Sequence, residues 1–493
     1  MTPDFVIVGG GSAGSVLAAR LTEDPSVHVC LLEAGPDWRS ADAAMEVRAL
    51  NPGLLIGAEK FDDFQYPLLT ARRTEGQEPS LFWRGRGLGG SSTINGIIAI
   101  RAVPDDHDRW GPGWTFPEVL PYLCRLEDDA DFPDAPYHGS GGPLPVWRMP
   151  QDEWGPVDVA LRDAALALGY PWCPDHNAPT GTGVSPYAIN ARAGARVSTN
   201  DAYLEPARGR QNLEIRGDVG VDRVLFDGRR AVGVRARIEG RWEDVRAGEV
   251  LLCAGAVGSP AILQRSGIGP GPVLAAASID QRLELPVGEH LQDHPIAFRF
   301  VRVRPELRPG PTDRHTNCCV RYTSGLAGAG DNDMMLVAMN HTTRLPGVGL
   351  VGTWVNQCFS EGRLRVTSAD PEALPAIDER MLSDDRDLVR LRDGMRRLDD
   401  LLAHDAFAAI GEVVASDAGA EDDEVDRWLL ANSSDAQHIC ATARMGDVVD
   451  TDCRVLGTEG LRVVDASVFP EVPRANTHLT VLAVAERMSD RLR

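Results

Sequence analysis

The sequence predicts a mixed α/β (α+β) protein with a parallel sheet, on three observations. The N-terminal "DFVIVGGGSAGSVLAARLTEDPSVHVCLLE" reads as strand, glycine turn, helix and strand. "VLLCAGAVGSPAILQRSG" repeats the strand–helix order near the middle of the chain. A third apolar strand, "LRVVDA", precedes the helical ending "NTHLTVLAVAERMSDRL". Strands joined through helices pair in parallel. At 493 residues the chain exceeds one simple core, so at least two lobes are expected.

The first element, "DFVIV" (4–8), is continuously apolar and β-branched, as a strand buried on both faces requires. It runs into Gly9-x-Gly11-x-x-Gly14. Gly9 permits a tight turn, Gly11 admits a pyrophosphate to the backbone, and Gly14 lets the helix lie close to the strand. The helix that follows has Leu17 and Leu21 on one face and points free N–H groups at the turn. The second strand, "VHVCLL" (27–32), ends at Glu33, 19 residues past Gly14, where an acid accepts from a ribose. Together these features predict a dinucleotide site. The acid disfavours a 2′-phosphate and leaves FAD and NAD open.

Further along, "GPVDVALRDAALALGY" (155–170) predicts an amphipathic helix with Val157, Leu161, Ala164 and Leu168 on its stripe. Residues 192–297 look strand-rich, with Ser259-Pro260 expected to start the helix after "VLLCAGAV". Strand-like "DMMLVAMNH" and "GRLRVTS" follow. A long helix over 384–403 places Leu388, Leu391, Met395, Leu398 and Leu402 at helical spacing, as core rather than cofactor contacts. The acidic run 417–426 reads as a solvated helix start.

Formal net charge is −22, which argues against nucleic acid or an anionic membrane surface as partner. Cationic residues are nearly all arginine, Lys60 being the lysine. Nine cysteines are scattered without a CxxC pair, so no metal ligand set is indicated. Cys318-Cys319 reads as packing, and reduced cysteines fit a cytoplasmic protein. The N-terminus lacks signal-peptide features, and no apolar run is long enough to span a membrane.

A second glycine-rich stretch, "RGRGLGGSSTINGIIAIR" (84–101), separates the dinucleotides, because it is dense in small donors and flexible backbone. With it the chain is similar to the glucose–methanol–choline (GMC) family of FAD-dependent oxidoreductases. The resemblance rests on "GGGSAG…LLEAG", "GRGLGGSSTIN", "CAGAVGSPAILQRSGIGP", "LPVGEHLQDHP", "HICATARMG" and "GLRVVDASVFPEVPRANTHLTVLAVAERMSDRL", in that order. It implies a Rossmann-like FAD lobe (1–157, 192–297, 449–493). It also implies a discontinuous substrate lobe (158–191, 298–448), an antiparallel sheet backed by helices. By position, Gly9, Gly11, Ser12, Ala13, Gly14 and Glu33 would hold the ADP half, and Val221 would meet the adenine. Gly90, Ser91, Asn95 and Gly96 would line the flavin, and Asp465 and Ala466 would reach the ribityl–pyrophosphate region. Ile94 stands where some members carry a flavin-linking histidine, which implies non-covalent FAD.

"AQHICATARMG" (436–446) holds one histidine among small residues, ordinarily a packing position. The resemblance implies instead that His438 is a general base, a role that suits an imidazole titrating near neutrality. It likewise implies that His478, at the start of the last helix, positions the alcohol oxygen, the two roles being open to exchange. Asn476 or Thr477 is expected to cap that helix, whose N-terminus would stabilise reduced flavin. Ala441 replaces the family's usual glycine, and Gln437 lies where oxygen access is influenced. His341, Trp354, Asn356 and Gln357 are weaker cavity candidates, and His290 and His294 read as a structural crossing between lobes. The implied activity is oxidation of a small-molecule alcohol by hydride transfer to flavin N5, with oxygen or another electron carrier as acceptor. The alternatives are a non-redox lyase on the same fold and an NAD-dependent dehydrogenase, the latter leaving the second glycine loop unexplained.

Overall fold

The computed structural model describes residues 2–342 and 345–493. Phe5–Val8 forms the middle of a five-stranded parallel sheet, flanked by Val29–Leu32 and Glu249–Leu252, with Leu213–Arg216 and Leu461–Val463 at the edges. Every residue of Phe5–Val8 and Val29–Leu32 is buried, as their unbroken apolar runs require. The helix Ser12–Leu21 packs against the C-terminal helix Thr477–Arg491. Buried Glu486 ties the two together, accepting from Arg20 Nε (3.0 Å) and from the Tyr203 hydroxyl (2.8 Å).

A second sheet is antiparallel and runs Gly411–Val413, Pro295–Val303, Val348–Val355, Met334–Met339, Cys318–Tyr322, Gly183–Pro186, with Ser434–Asp435 added beside Pro295–Val303. The helix Asp385–Leu402 lies on it, capped by Asp384 and burying Leu391, Met395, Leu398 and Leu402. Gly220–Asp227, Arg230–Ile238 and Arg241–Arg246 form a separate antiparallel meander. The acidic run ends in the helix Asp422–Asn432, with Glu421 and Glu424 forming a capping box.

Two expected helix features differ. Pro156–Ala167 buries Val157, Leu161 and Ala164, but Leu168 lies beyond the helix and is 50% exposed. The helix expected to start at Ser259-Pro260 starts at Gly255 and carries Pro260 inside it. Proline has no N–H to give Ala256, four residues back. That carbonyl accepts instead from the Thr442 hydroxyl at 2.7 Å, which fastens the 436–446 stretch to this helix. All nine cysteines are free, and Cys318 and Cys319 are buried in the antiparallel sheet. Among the described residues no helix is long and apolar enough to cross a membrane.

Candidate active site

The two glycine loops meet backbone to backbone. Gly89 N–H donates to Gly10 O at 2.8 Å, and a Cβ on Gly90 would stand 2.8 Å from Gly11 Cα. Glu33 joins them, its carboxylate accepting from the N–H groups of Gly10 (2.7 Å), Gly35 (2.8 Å) and Gly87 (2.9 Å). Gly14 does not face the cavity: a Cβ there would lie 1.9 Å from Gly9 O, so it holds helix to strand.

Beside this junction lies a cavity of about 1110 Å³. Gly9, Gly11, Ser12, Ala13 and Glu33 line it, as do Gly90, Ser91, Asn95 and Gly96. Val221, Asp465, Ala466, His438 and His478 complete the expected set. Ile94, His341 and Trp354 also line it, whereas Asn356, Gln357, His290 and His294 do not.

The wall suits FAD on three counts. The Ser12–Leu21 helix opens without a side-chain cap or an acid in its first turn, so its N–H groups are available to phosphate. A Cβ on Gly90 would press on Gly11 Cα, so the junction leaves no room for a side chain at position 90. Asp465 is fixed rather than free, accepting from Gly255 N (2.9 Å) and Ser259 Oγ (2.5 Å), which locks the strand end that reaches the cavity.

His438 is wired by its neighbours. His294 Nε2 lies 3.0 Å from Asn356 O and 3.1 Å from Pro473 O. Carbonyl oxygens only accept, so this nitrogen carries the hydrogen. Burial holds the His294 pKa down at about 4, so the ring is neutral and its Nδ1 is bare. His438 Nδ1 is 2.8 Å away and donates to it. Burial, then His294 and Arg84, push the His438 pKa well below its ordinary value, so this ring is neutral too and its Nε2 is bare. Asn476 Nδ2 donates to that nitrogen at 2.9 Å. Asn476 stands at the N-cap position of the last helix but makes no side-chain cap, and Thr477 is the first helical residue, so the side-chain cap expected from one of the two is not made.

Backbone anchors set these rings. Asp293 Oδ1 accepts from the main-chain N–H of both His294 (2.7 Å) and His438 (2.8 Å). Trp354 stacks on His294 at 5.9 Å between ring centres. Asn356, read from sequence as a cavity residue, donates to Arg474 O (3.0 Å). Arg474 is clamped by Asp106 (2.7 and 2.8 Å), which steadies the approach to Asn476. Gln437 is held by Arg84 (3.0 and 2.9 Å), which itself lines the cavity. Gln437 and Ala441, on either side of His438, both adopt left-handed backbone (φ 63° and 64°).

His478 turns to the other loop, with Nδ1 3.3 Å from Ser12 Oγ and Nε2 buried without a partner among the described residues. Burial and Arg196 lower its pKa to about 4. The side chains hydrogen-bonded to His438 are therefore Asn476 and His294, and Trp354 stands edge-on to its ring at 5.8 Å. From sequence, Asn476 is one of two cap candidates and His294 belongs to a lobe crossing. The only sequence signal for His294 was its place in "GEHLQDHP".

Two family models described as GMC oxidoreductase match residues 3–296 and 358–485. A 5-(hydroxymethyl)furfural oxidase of Methylovorus sp. is 36% identical over 527 aligned residues, covering 99% of this chain and 98% of the relative. An oxygen-dependent choline dehydrogenase of Photobacterium profundum is 35% identical, covering 99% and 92%. The crystal structure of pyridoxine 4-oxidase from Mesorbium loti is similar with a TM-score of 0.91 at 30% identity, over 99% of both chains.

Proposed function

The chain belongs to the GMC oxidoreductase family, and on that premise we propose that it oxidises the CH–OH carbon of a small alcohol with His438 as base and Asn476 as holder of the alcohol oxygen. The cofactor is FAD, which when bound supplies the acceptor for a hydride. The observation that carries the reading is the bare Nε2 of His438 beside the Asn476 amide.

The alcohol hydroxyl takes the place of Asn476 Nδ2 at His438 Nε2, and Asn476 then donates to the alcohol oxygen. His438 Nε2 removes the hydroxyl proton as the carbon–hydrogen bond breaks. His438 Nδ1–H stays on His294 in both protonation states, so the ring need not turn. His478, bonded to Ser12, belongs on this reading to the cofactor side. Ile94 on the cavity wall offers no nucleophile, which supports FAD held without a covalent bond. Oxygen or another carrier takes the electrons away.

The test is anaerobic mixing of holoenzyme with aromatic, aliphatic, sugar and amino alcohols. Bleaching of the flavin near 450 nm by at least one class is expected, and lost when His438 is alanine. A flavin that no class bleaches defeats the reading in favour of lyase chemistry. Reoxidation in air against a dye or quinone then identifies the acceptor.

A further inference from the structure

Two guanidinium groups are sunk behind the cavity wall without a carboxylate of their own. Arg196 and Arg314 are each 4% exposed. Arg196 donates to Val47 O (3.0 Å), Ser92 O (3.2 Å), Asn95 O (2.7 Å) and Asn95 Oδ1 (2.8 Å). Arg314 donates to Leu50 O (3.2 Å) and Gly96 O (3.0 Å). Among the described residues Arg196 Nη2 and Arg314 Nε have no partner. Among the described residues no carboxylate comes within 4.0 Å of either group. The acids whose charge reaches them, Asp201 for Arg196 and Asp158 for Arg314, are hydrogen-bonded elsewhere, Asp201 by Ser198 and Asp158 by Asn317, Cys318 and Asn340.

A buried charge without a counter-charge is strongly unfavourable, so buried arginines are ordinarily paired. Arg390 and Arg474, equally buried here, are paired with Asp387 and Asp106. Among the described residues Arg321 and Arg487 also lack a carboxylate, but neither donates to a residue of the cavity wall. Arg196 and Arg314 do, through Asn95 and Gly96. Asn95 Oδ1 also accepts from Ile97 N (3.0 Å), so its amide oxygen faces Arg196 and its NH2 end is left for the cavity.

On the hydride reading above, the alcohol loses two electrons and two protons. One proton goes to His438, and the other travels with the electron pair as hydride. The carbonyl product is neutral, so one negative charge remains on the cofactor side. We propose that Arg196 and Arg314, acting through Asn95 and Gly96, supply the counter-charge for the electron pair taken up by bound FAD and so raise its affinity for electrons. The neighbouring His478, kept neutral by burial and by Arg196, does not share this task.

The experiment uses holoenzyme and no alcohol. Sulfite affinity and the two-electron midpoint potential are measured for Arg196→Met, Arg314→Met and Arg196→Lys. Each methionine variant is expected to bind sulfite about tenfold more weakly, equivalent to about 30 mV in a two-electron couple, while lysine stays within about threefold of wild type. Unchanged affinity and potential in both methionine variants overturns the proposal. If those variants lose FAD, the wild-type potential decides: a slope of about 30 mV per pH unit marks one proton per electron pair and is expected, whereas about 59 mV marks two and overturns it. Because alcohol is absent, failure here is separate from failure of alcohol to bleach the flavin.

Discussion

His438 and His294 face each other Nδ1 to Nδ1 at 2.8 Å, and the proton between them belongs to His438. Two carbonyls on the far side of His294 decide this, by occupying its only N–H. A phenyl ring cannot accept, so His294→Phe frees the His438 tautomer. Expected is a fall in kcat/KM of about 100-fold with FAD content unchanged, and partial recovery in His294→Asn. Equal rates in wild type and His294→Phe would contradict the assignment.

Replacing His438 by alanine removes the base itself. A loss of about 10²–10⁴ in kcat is expected, with flavin still bound. Asn476→Leu should slow turnover more than His478→Leu, because Asn476 is the one on His438 Nε2. The reverse order would restore His478 to the alcohol.

Since the folded His438 pKa lies well below its ordinary 6.5, the base stays unprotonated as pH falls through 6.5. The kcat/KM profile is expected to be flat there, with its acid limb well below. A limb centred at 6.5 would show that the base is a solvated histidine.

Gly11 and Gly14 should fail differently. A Cβ at Gly11 comes no closer than 3.8 Å to the protein, so Gly11→Val should fold but purify without flavin. Gly14→Ala collides with Gly9 O and should lower the melting temperature. FAD itself should leave the wild-type protein on acid precipitation; colour kept in the pellet would mean a covalent link.

His107 is buried among Trp110 and Phe116, with both ring nitrogens unpartnered among the described residues and its pKa lowered by burial to about 4. The unfolded chain takes up this proton first, so stability is lost as pH falls from about 6.5 to about 4. His107→Phe should flatten that part of a melting-against-pH curve. Ala441→Gly should stabilise by about 1 kcal/mol at any pH, since its φ of 64° suits glycine. An unshifted denaturation midpoint would refute the strain.

The parallel sheet and glycine turns were legible because each is written within thirty or so consecutive residues, as Phe5–Leu32 shows. The pair Asn476 and His294 was not. Each reaches His438 across a fold closure, spanning 38 and 144 residues, and no local pattern reports such contacts. Pro260 misled for a related reason. Proline is a fair marker of a helix start, but Thr442, brought in from another part of the chain, satisfies the carbonyl it orphans.

Glu33 carries a consequence for redesign. Changing the acid at the end of the second strand is the obvious way to retune such a site towards a phosphorylated nucleotide. Here the same carboxylate rivets Gly10, Gly35 and Gly87 together. A neutral or basic residue at position 33 therefore unfastens the second glycine loop from the first before it can greet a new ligand. Cofactor preference in this protein is welded to its architecture, and any switch has to begin by giving the 84–90 loop another anchor.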